Sequence, residues 1–337
     1  MRRVEVADRL QLGSEADVEG VAVEGVAHRH VPGTGEIEIQ RLRQGLVNET
    51  YRVLRDGHAY ALRAATTNPF DLGLDRRWEA QVLEGAVAAK LAPALVYCDP
   101  EHGMLIWRWV DGRSWRFEDT LRPANLSRMA ELMHRIHDLS LPVPTRVMNP
   151  GQWVDYYSAA QVPTARAAAL RSMAMERLSA LAALPGVAPV VCHSDLHTLN
   201  LIDRGDSLVL LDWEYAHAAD PFWDLAGWSA NNDFEDATTL ELLRNYLGRT
   251  PMPAERLRLR LLGWLYDYVC LLWSELYLSL HRGRPGGVAD AATARSDAPS
   301  EESTRVDSVL GEVSARAQLL AARLRTSSSL AGQVPAH

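Results

Sequence analysis

Three short apolar runs at 187–192, 199–202 and 208–211 frame two segments dense in acid and amide groups. The pattern reads as short strands whose connecting loops sit at a sheet edge, with polar side chains directed into a cleft. The first loop is His193-Ser194-Asp195-Leu196-His197-Thr198-Leu199-Asn200. The last strand runs into Asp212-Trp213-Glu214-Tyr215. An Asp and an Asn on one loop, followed by a second Asp at a strand end, suits Mg²⁺-dependent phosphoryl transfer. Asp195 can accept the proton of an attacking hydroxyl, Asn200 offers a neutral oxygen to the metal, and Asp212 can bridge the metal to phosphates. A lone Asp here is ordinarily a turn or cap residue. The three together, between apolar strands, carry the chemical reading.

Bulk properties narrow the alternatives. The chain has 337 residues, 47% apolar and 23% charged, which allows a sizeable core in two or three domains or in one domain of two lobes. A net charge of −8 argues against nucleic acid as the main partner. Cys98, Cys192 and Cys270 are far apart and odd in number, so no disulfide framework is expected and a reducing, cytoplasmic compartment is the simple reading. Residues 1–20 lack the apolar centre of a signal peptide. The most apolar long stretch, 261–280, is interrupted by Asp267 and Glu275, so no membrane span is expected. Nothing in the composition speaks to oligomeric state.

Along the chain, residues 1–35 show no sustained periodicity and read as an N-terminal extension. Residues 36–110 read as a small nucleotide-binding lobe. It has a first strand through Ile37, Ile39 and Leu42, a hairpin around Asp56-Gly57, a helix over 74–91 and a second hairpin ending near Val110. Tyr60, Leu62 and Ala64 fall on one face of the second hairpin strand, and Ala61 and Arg63 on the other. Residues 111–282 read as a larger, mostly helical lobe carrying the catalytic loop, the metal ligands and the substrate site. Residues 283–337 read as a linker followed by a helical tail over 303–324.

The segment 193–200, taken with Asp212-Trp213-Glu214-Tyr215-Ala216, Asp220 and Asp224-Leu225-Ala226, resembles the aminoglycoside phosphotransferase and choline kinase superfamily. It is most similar to the choline, ethanolamine and thiamine kinase branch, over roughly residues 36–282. The resemblance implies an α+β, protein-kinase-like two-lobed fold: a small antiparallel-sheet N-lobe with one helix, and a larger mostly helical C-lobe. It implies ATP as co-substrate, Mg²⁺ as cofactor and a small-molecule alcohol as acceptor. Asp195 takes the catalytic position, and Asn200 and Asp212 the metal positions. The segment Gln44-Gly45-Leu46-Val47-Asn48 resembles the family's short nucleotide loop, with Gly45 and Asn48 near phosphate. Arg63 stands where kinases place a phosphate-binding lysine, and Glu79 would pair with it. Asp224 would tie down the catalytic-loop backbone. Glu214 and Trp273 would face the acceptor, with Glu214 near an ammonium group and Trp273 in an aromatic box.

The acceptor expected on this basis is a cationic amino alcohol (choline or ethanolamine) or thiamine. An aminoglycoside, macrolide or sugar acceptor stays open, as does a nucleotide-binding protein without turnover. Thr198-Leu199, where relatives commonly have Pro-Gly, leaves room for the latter. A zinc hydrolase built on Cys192, His193, Asp195 and His197 has only an isolated H-x-D-x-H in its favour.

Overall fold

The structure is a computed structural model describing residues 18–44, 46–66, 72–143, 145–159, 161–281 and 301–326. The chain forms two compact units. The first comprises residues up to Thr67 together with Ala94–Trp109, and the second comprises Asn68–Pro93 and everything from Val110 onward.

The first unit holds helix α1 (Val18–His30) and strands β1 (Ile37–Gln44), β2 (Asn48–Arg55), β3 (His58–Ala65), β4 (Leu95–Asp99) and β5 (Met104–Arg108). The strands form one five-stranded sheet in the order β1-β2-β3-β5-β4, with every neighbouring pair antiparallel. The β2–β3 turn is Asp56-Gly57, with φ of 49° and 76°. Positive φ at both central positions is what a tight hairpin matching strand twist requires, and Asp-Gly supplies it at little cost.

Tyr60, Leu62 and Ala64 do share a face, and what covers it is α1. Val23, Val26, Ala27 and Val31 pack with Val53, Tyr60, Leu62, Ala64 and Ile106 as one buried cluster. The segment expected as an extension is therefore part of the core of this unit. Its helix, rich in Val and Gly, has weak intrinsic propensity, so tertiary burial rather than local preference makes it helical. Arg55 Nη1 caps its end by donating to the Val31 carbonyl at 2.7 Å.

The second unit holds α2 (Arg76–Ala88), α3 (Phe117–Thr120), α4 (Pro123–His137), α5 (Pro150–Ser158), α6 (Ala165–Ala182), β6 (Val190–Cys192), β7 (Leu201–Asp203), β8 (Leu208–Leu210), β9 (His217–Ala219), α7 (Phe222–Asn231), α8 (Asp236–Leu247), α9 (Pro253–Leu280) and α10 (Glu301–Thr326). Strands β6 and β9 pair, and β7 and β8 pair, both antiparallel. The 28-residue α9 is the platform against which α5, α6, α7 and α10 pack. Among the described residues, no helix is long and apolar enough to cross a membrane.

Helix α2 belongs with this second unit and not, as expected, with the sheet. Trp78 Nε1 donates to the Ala216 carbonyl at 2.8 Å, and Arg135 Nη2 donates to Ala89 O at 2.8 Å. The Leu210 N–H donates to Leu91 O at 2.7 Å. The helical tail is found as α10, with Leu310, Val313, Ala317, Leu320 and Leu324 buried. The expected linker falls almost wholly in 282–300, outside the described residues.

Ala27 is fully buried in the α1 cluster. Ala27→Glu places an unpaired charge there and is expected to lower the melting temperature by more than about 5 °C. Thermal unfolding followed by circular dichroism checks this, and an unchanged midpoint would remove α1 from the core.

Candidate active site

The catalytic loop leaves β6 at Cys192 and is held at once by a buried carboxylate. Asp224, on the first turn of α7 and 1% exposed, accepts the backbone N–H groups of His193 at 2.9 Å and Ser194 at 2.8 Å. His137 Nε2 lies 3.3 Å from the same carboxylate. Burial raises the Asp224 pKa, but the contacts with His137, His193 and the Ser194 N–H outweigh it, so the group is held below its ordinary range. The loop-tethering role expected of Asp224 is seen directly in these bonds.

Ser194 has a φ of 68°, which turns the chain and sets the direction of Asp195. His193 is wholly buried and links two loops. Its Nε2 donates to Leu211 O at 2.9 Å, so its Nδ1 is the acceptor for the Asp195 N–H at 3.3 Å. Burial pushes its pKa down, consistent with that neutral tautomer.

Asp195 and Asn200 meet. Asn200 Nδ2 donates to both the carbonyl and the Oδ2 of Asp195, each at 3.1 Å. His197 Nε2 lies 3.4 Å from Asp195 Oδ2, and the Asp195 side chain remains 31% exposed. Burial raises the Asp195 pKa, yet the charge and hydrogen bond of His197, with His193 and Arg316 beyond, bring it to about 2. His197 responds in the opposite sense: burial lowers its pKa, and Asp195 raises it by more. Asp212 follows directly, because the Leu211 N–H donates to Asn200 O at 2.8 Å and Asp212 is the next residue, with a φ of 59°. Two left-handed non-glycine residues, Ser194 and Asp212, thus flank the site, where strained backbone commonly serves function.

This donor set fits Mg²⁺. With its nitrogen committed to Asp195, Asn200 has Oδ1 left as a hard neutral oxygen, and Asp212 adds a carboxylate. The zinc alternative gains nothing. Among the described residues, the group that could jointly hold a metal is His137, Cys192 and Asp224, which omits His193, Asp195 and His197.

Of the remaining expected residues, Asn48 opens β2 and is 6% exposed, and Arg63 lies on β3 at 3%, paired in register with Thr50 and Leu105. Gly45 lies outside the described residues. Glu79 and Glu214 are both buried, and Arg76 joins them: its Nη1 donates to Glu79 at 2.9 Å and to Glu214 at 2.7 Å. The sequence reading missed Arg76, although its i,i+3 spacing from Glu79 was a signal. Trp273 Nε1 donates to the Tyr215 hydroxyl at 2.7 Å and stacks on Tyr277 with centroids 5.2 Å apart. Also missed were Asn231 and Arg316. Asn231 Nδ2 donates to the Leu196 carbonyl at 2.9 Å and to the Tyr266 hydroxyl at 3.0 Å, and Arg316 Nη2 donates to Asn231 Oδ1 at 2.9 Å.

The phosphotransferase enzyme family profile matches residues 38–262. The chain belongs to this family and is a small-molecule kinase. No curated protein sequence matches it. Solved structures do. A choline/ethanolamine kinase family protein from Mesorhizobium loti is 25% identical, with a TM-score of 0.65 over 92% of this chain and 99% of that one. Choline kinase LicA from Streptococcus pneumoniae is 19% identical, with a TM-score of 0.68 over 91% and 100%. A spectinomycin phosphotransferase solved with ADP and spectinomycin is 12% identical, with a TM-score of 0.55 over 89% and 98%. The antiparallel sheet and mostly helical remainder described above form the protein-kinase-like α+β fold of these neighbours.

Asp224→Ala leaves two buried N–H groups without an acceptor and is expected to cost about 3 to 5 kcal/mol of stability together with most turnover. Urea unfolding and steady-state kinetics on one preparation check both. A second expectation concerns His217, buried with Nδ1 on Tyr215 O at 2.8 Å, whose pKa burial lowers from 6.5 to about 4. Above pH 6.5 it is neutral folded or unfolded. As pH falls below that, the unfolded chain binds a proton that the folded chain refuses, so stability declines by up to ~3 kcal/mol towards pH 4. His217→Gln should flatten the fall in urea midpoint between pH 7.5 and 4.5, and an unaltered slope would assign it to other groups.

Proposed function

We propose that the protein transfers the γ-phosphate of ATP, with Mg²⁺, onto an alcohol group of a small molecule. The observation that carries this is the meeting of Asn200 with Asp195, with Asp212 one residue beyond the backbone bond to Asn200. Asp195 is ionised throughout the neutral range. It holds the acceptor hydroxyl and takes its proton late, as the oxygen–phosphorus bond forms and the bond to the departing ADP breaks. Asn200 and Asp212 are the proposed Mg²⁺ ligands, and the metal when bound supplies positive charge for the phosphate oxygens. Gly45, Asn48 and Arg63 are proposed to approach the phosphates. Neighbours solved with AMP and with ADP support an adenine nucleotide. Three cysteines far apart in sequence and odd in number support a cytoplasmic setting.

For the acceptor, the amino-alcohol reading draws support from the choline and ethanolamine kinases among the neighbours and from the Tyr215–Trp273–Tyr277 aromatic series, since ring faces attract cations. Glu214 supports it less than its sequence position suggests, because Arg76 already shares its charge.

Asp195→Asn is expected to lower kcat by about 100-fold or more with the melting temperature preserved. Coupled ADP release over a panel of alcohols measures this. Chelating Mg²⁺ should stop the same reaction and re-adding it should restore it. Near-normal turnover in the variant would take Asp195 out of the mechanism.

A further inference from the structure

Helix α10 docks on α9 through its apolar stripe and carries two arginines, Arg316 and Arg323, about two turns apart on one side. Their surroundings differ. Arg323 is satisfied by acids: Nη1 donates to Asp233 at 2.6 Å, and Nη2 pairs with Asp267. Arg316 makes no ion pair among the described residues. It is exposed, and its one hydrogen bond runs from Nη2 to the neutral Oδ1 of Asn231. A guanidinium has several further N–H donors in a planar fork suited to carboxylate or phosphate.

The position of Arg316 gives this meaning. Asn231 presents its oxygen to Arg316 and its nitrogen to the carbonyl of Leu196, the residue after Asp195. The cation is therefore tied by one amide to the catalytic loop. Arg316 also acts electrostatically on Asp195, Asp267, Tyr266 and Cys270, which sets its charge near the loop that carries Asp195. The nearby acids Asp233 and Asp267 make their ion pairs with Arg323, and Asp267 reaches Arg316 only through longer-range charge. An arginine needed only to dock the helix would resemble Arg323.

We propose that Arg316 recognises an anionic group, carboxylate or phosphate, on the acceptor, so that the substrate is an alcohol offering a hydroxyl to Asp195 and negative charge to Arg316. This rests on the phosphotransfer reading and refines its acceptor class. An amino alcohol that also bears a carboxylate satisfies it and keeps the aromatic contact. A purely cationic alcohol meets like charge at Arg316.

The test uses the full-length protein with Mg²⁺ and a non-hydrolysable ATP analogue. Calorimetric titration compares matched acceptors: ethanolamine against serine, and glycerol against glycerate and glycerol 3-phosphate. The expected result is at least about tenfold tighter binding of the anionic member in one or more pairs, by the usual strength of charge-assisted bonds. Glycerate against glycerol 3-phosphate tells carboxylate from phosphate. Arg316→Gln should abolish the preference and raise KM more than it lowers kcat, with nucleotide affinity kept, and Arg316→Lys should restore part of it. Arg323→Gln, which loosens the same helix without touching the proposed contact, should keep the preference. Equal or weaker binding of the anionic members in every pair overturns the assignment, as does a preference that survives Arg316→Gln. The wild-type comparison decides even where the variant folds poorly. With ATP in place of the analogue, ADP release without anion preference sinks the Arg316 assignment alone. Anion preference without ADP release supports Arg316 and counts against phosphotransfer.

Discussion

The site depends on one buried anion. The Asp224 carboxylate sits almost without solvent, where an ionised group is tolerated only when hydrogen-bonded and paired. It meets that condition through two backbone N–H groups and His137, and in doing so it fixes the turn at His193 and Ser194. That turn aims Asp195. The same turn places the His193 ring so that one nitrogen receives the Asp195 N–H and the other reaches the Leu211 carbonyl. The catalytic loop is thereby joined to the strand end bearing Asp212, and the Leu211 N–H to Asn200 closes the connection from the other side. Loss of the Asp224 anion would release the geometry of Asp195, Asn200 and Asp212, the three candidate site residues, none of which it touches itself.

Helix α7 holds the loop at a second point. Asp224 on its first turn grips the backbone before Asp195, and Asn231 at its last residue grips the carbonyl just after it. Asp195 is thus suspended between two attachments to one rigid element. Such an arrangement preorganises the Asp195 backbone from both sides, while its carboxylate is oriented by Asn200 and His197. The Asn231 amide is in turn oriented by Arg316 from α10, so the C-terminal helix contributes to the site and is more than a surface addition.

What could be read from the sequence follows the range of the interactions concerned. The Asp56-Gly57 hairpin, the face shared by Tyr60, Leu62 and Ala64, and the loop from His193 to Asn200 were all legible, because turn chemistry, strand alternation and a dense motif are local. Helix α1 was not, since its Val- and Gly-rich segment is helical through packing on a sheet that comes later in the chain. The allegiance of α2 was hidden for the same reason: Trp78 finds its acceptor at Ala216, 138 residues away. Arg76, Asn231 and Arg316 were not singled out, because their partners are distant in sequence. Nothing near them in sequence shows that they meet Glu214, the Leu196 carbonyl and Asn231 in space.

The charges near the candidate catalytic loop bear on the acceptor class proposed above. Glu79 and Glu214 are buried on a common guanidinium, Arg76, and Asp233 and Asp267 share Arg323. Both pairs of carboxylates therefore have a counter-charge within the fold. Removing Arg76 or Arg323 would leave buried or crowded carboxylates without a counter-charge, which is costly, so these pairings are not readily exchanged for a substrate's ammonium. The aromatic series from Tyr215 through Trp273 to Tyr277 still offers ring faces, but rings alone accept flat neutral groups as well as cations. Arg316 is an exposed charge tied to the candidate catalytic loop through Asn231 and without an ion pair among the described residues. In the proposed role its sign would favour negative groups on the acceptor, and its exposure would keep that contribution sensitive to salt.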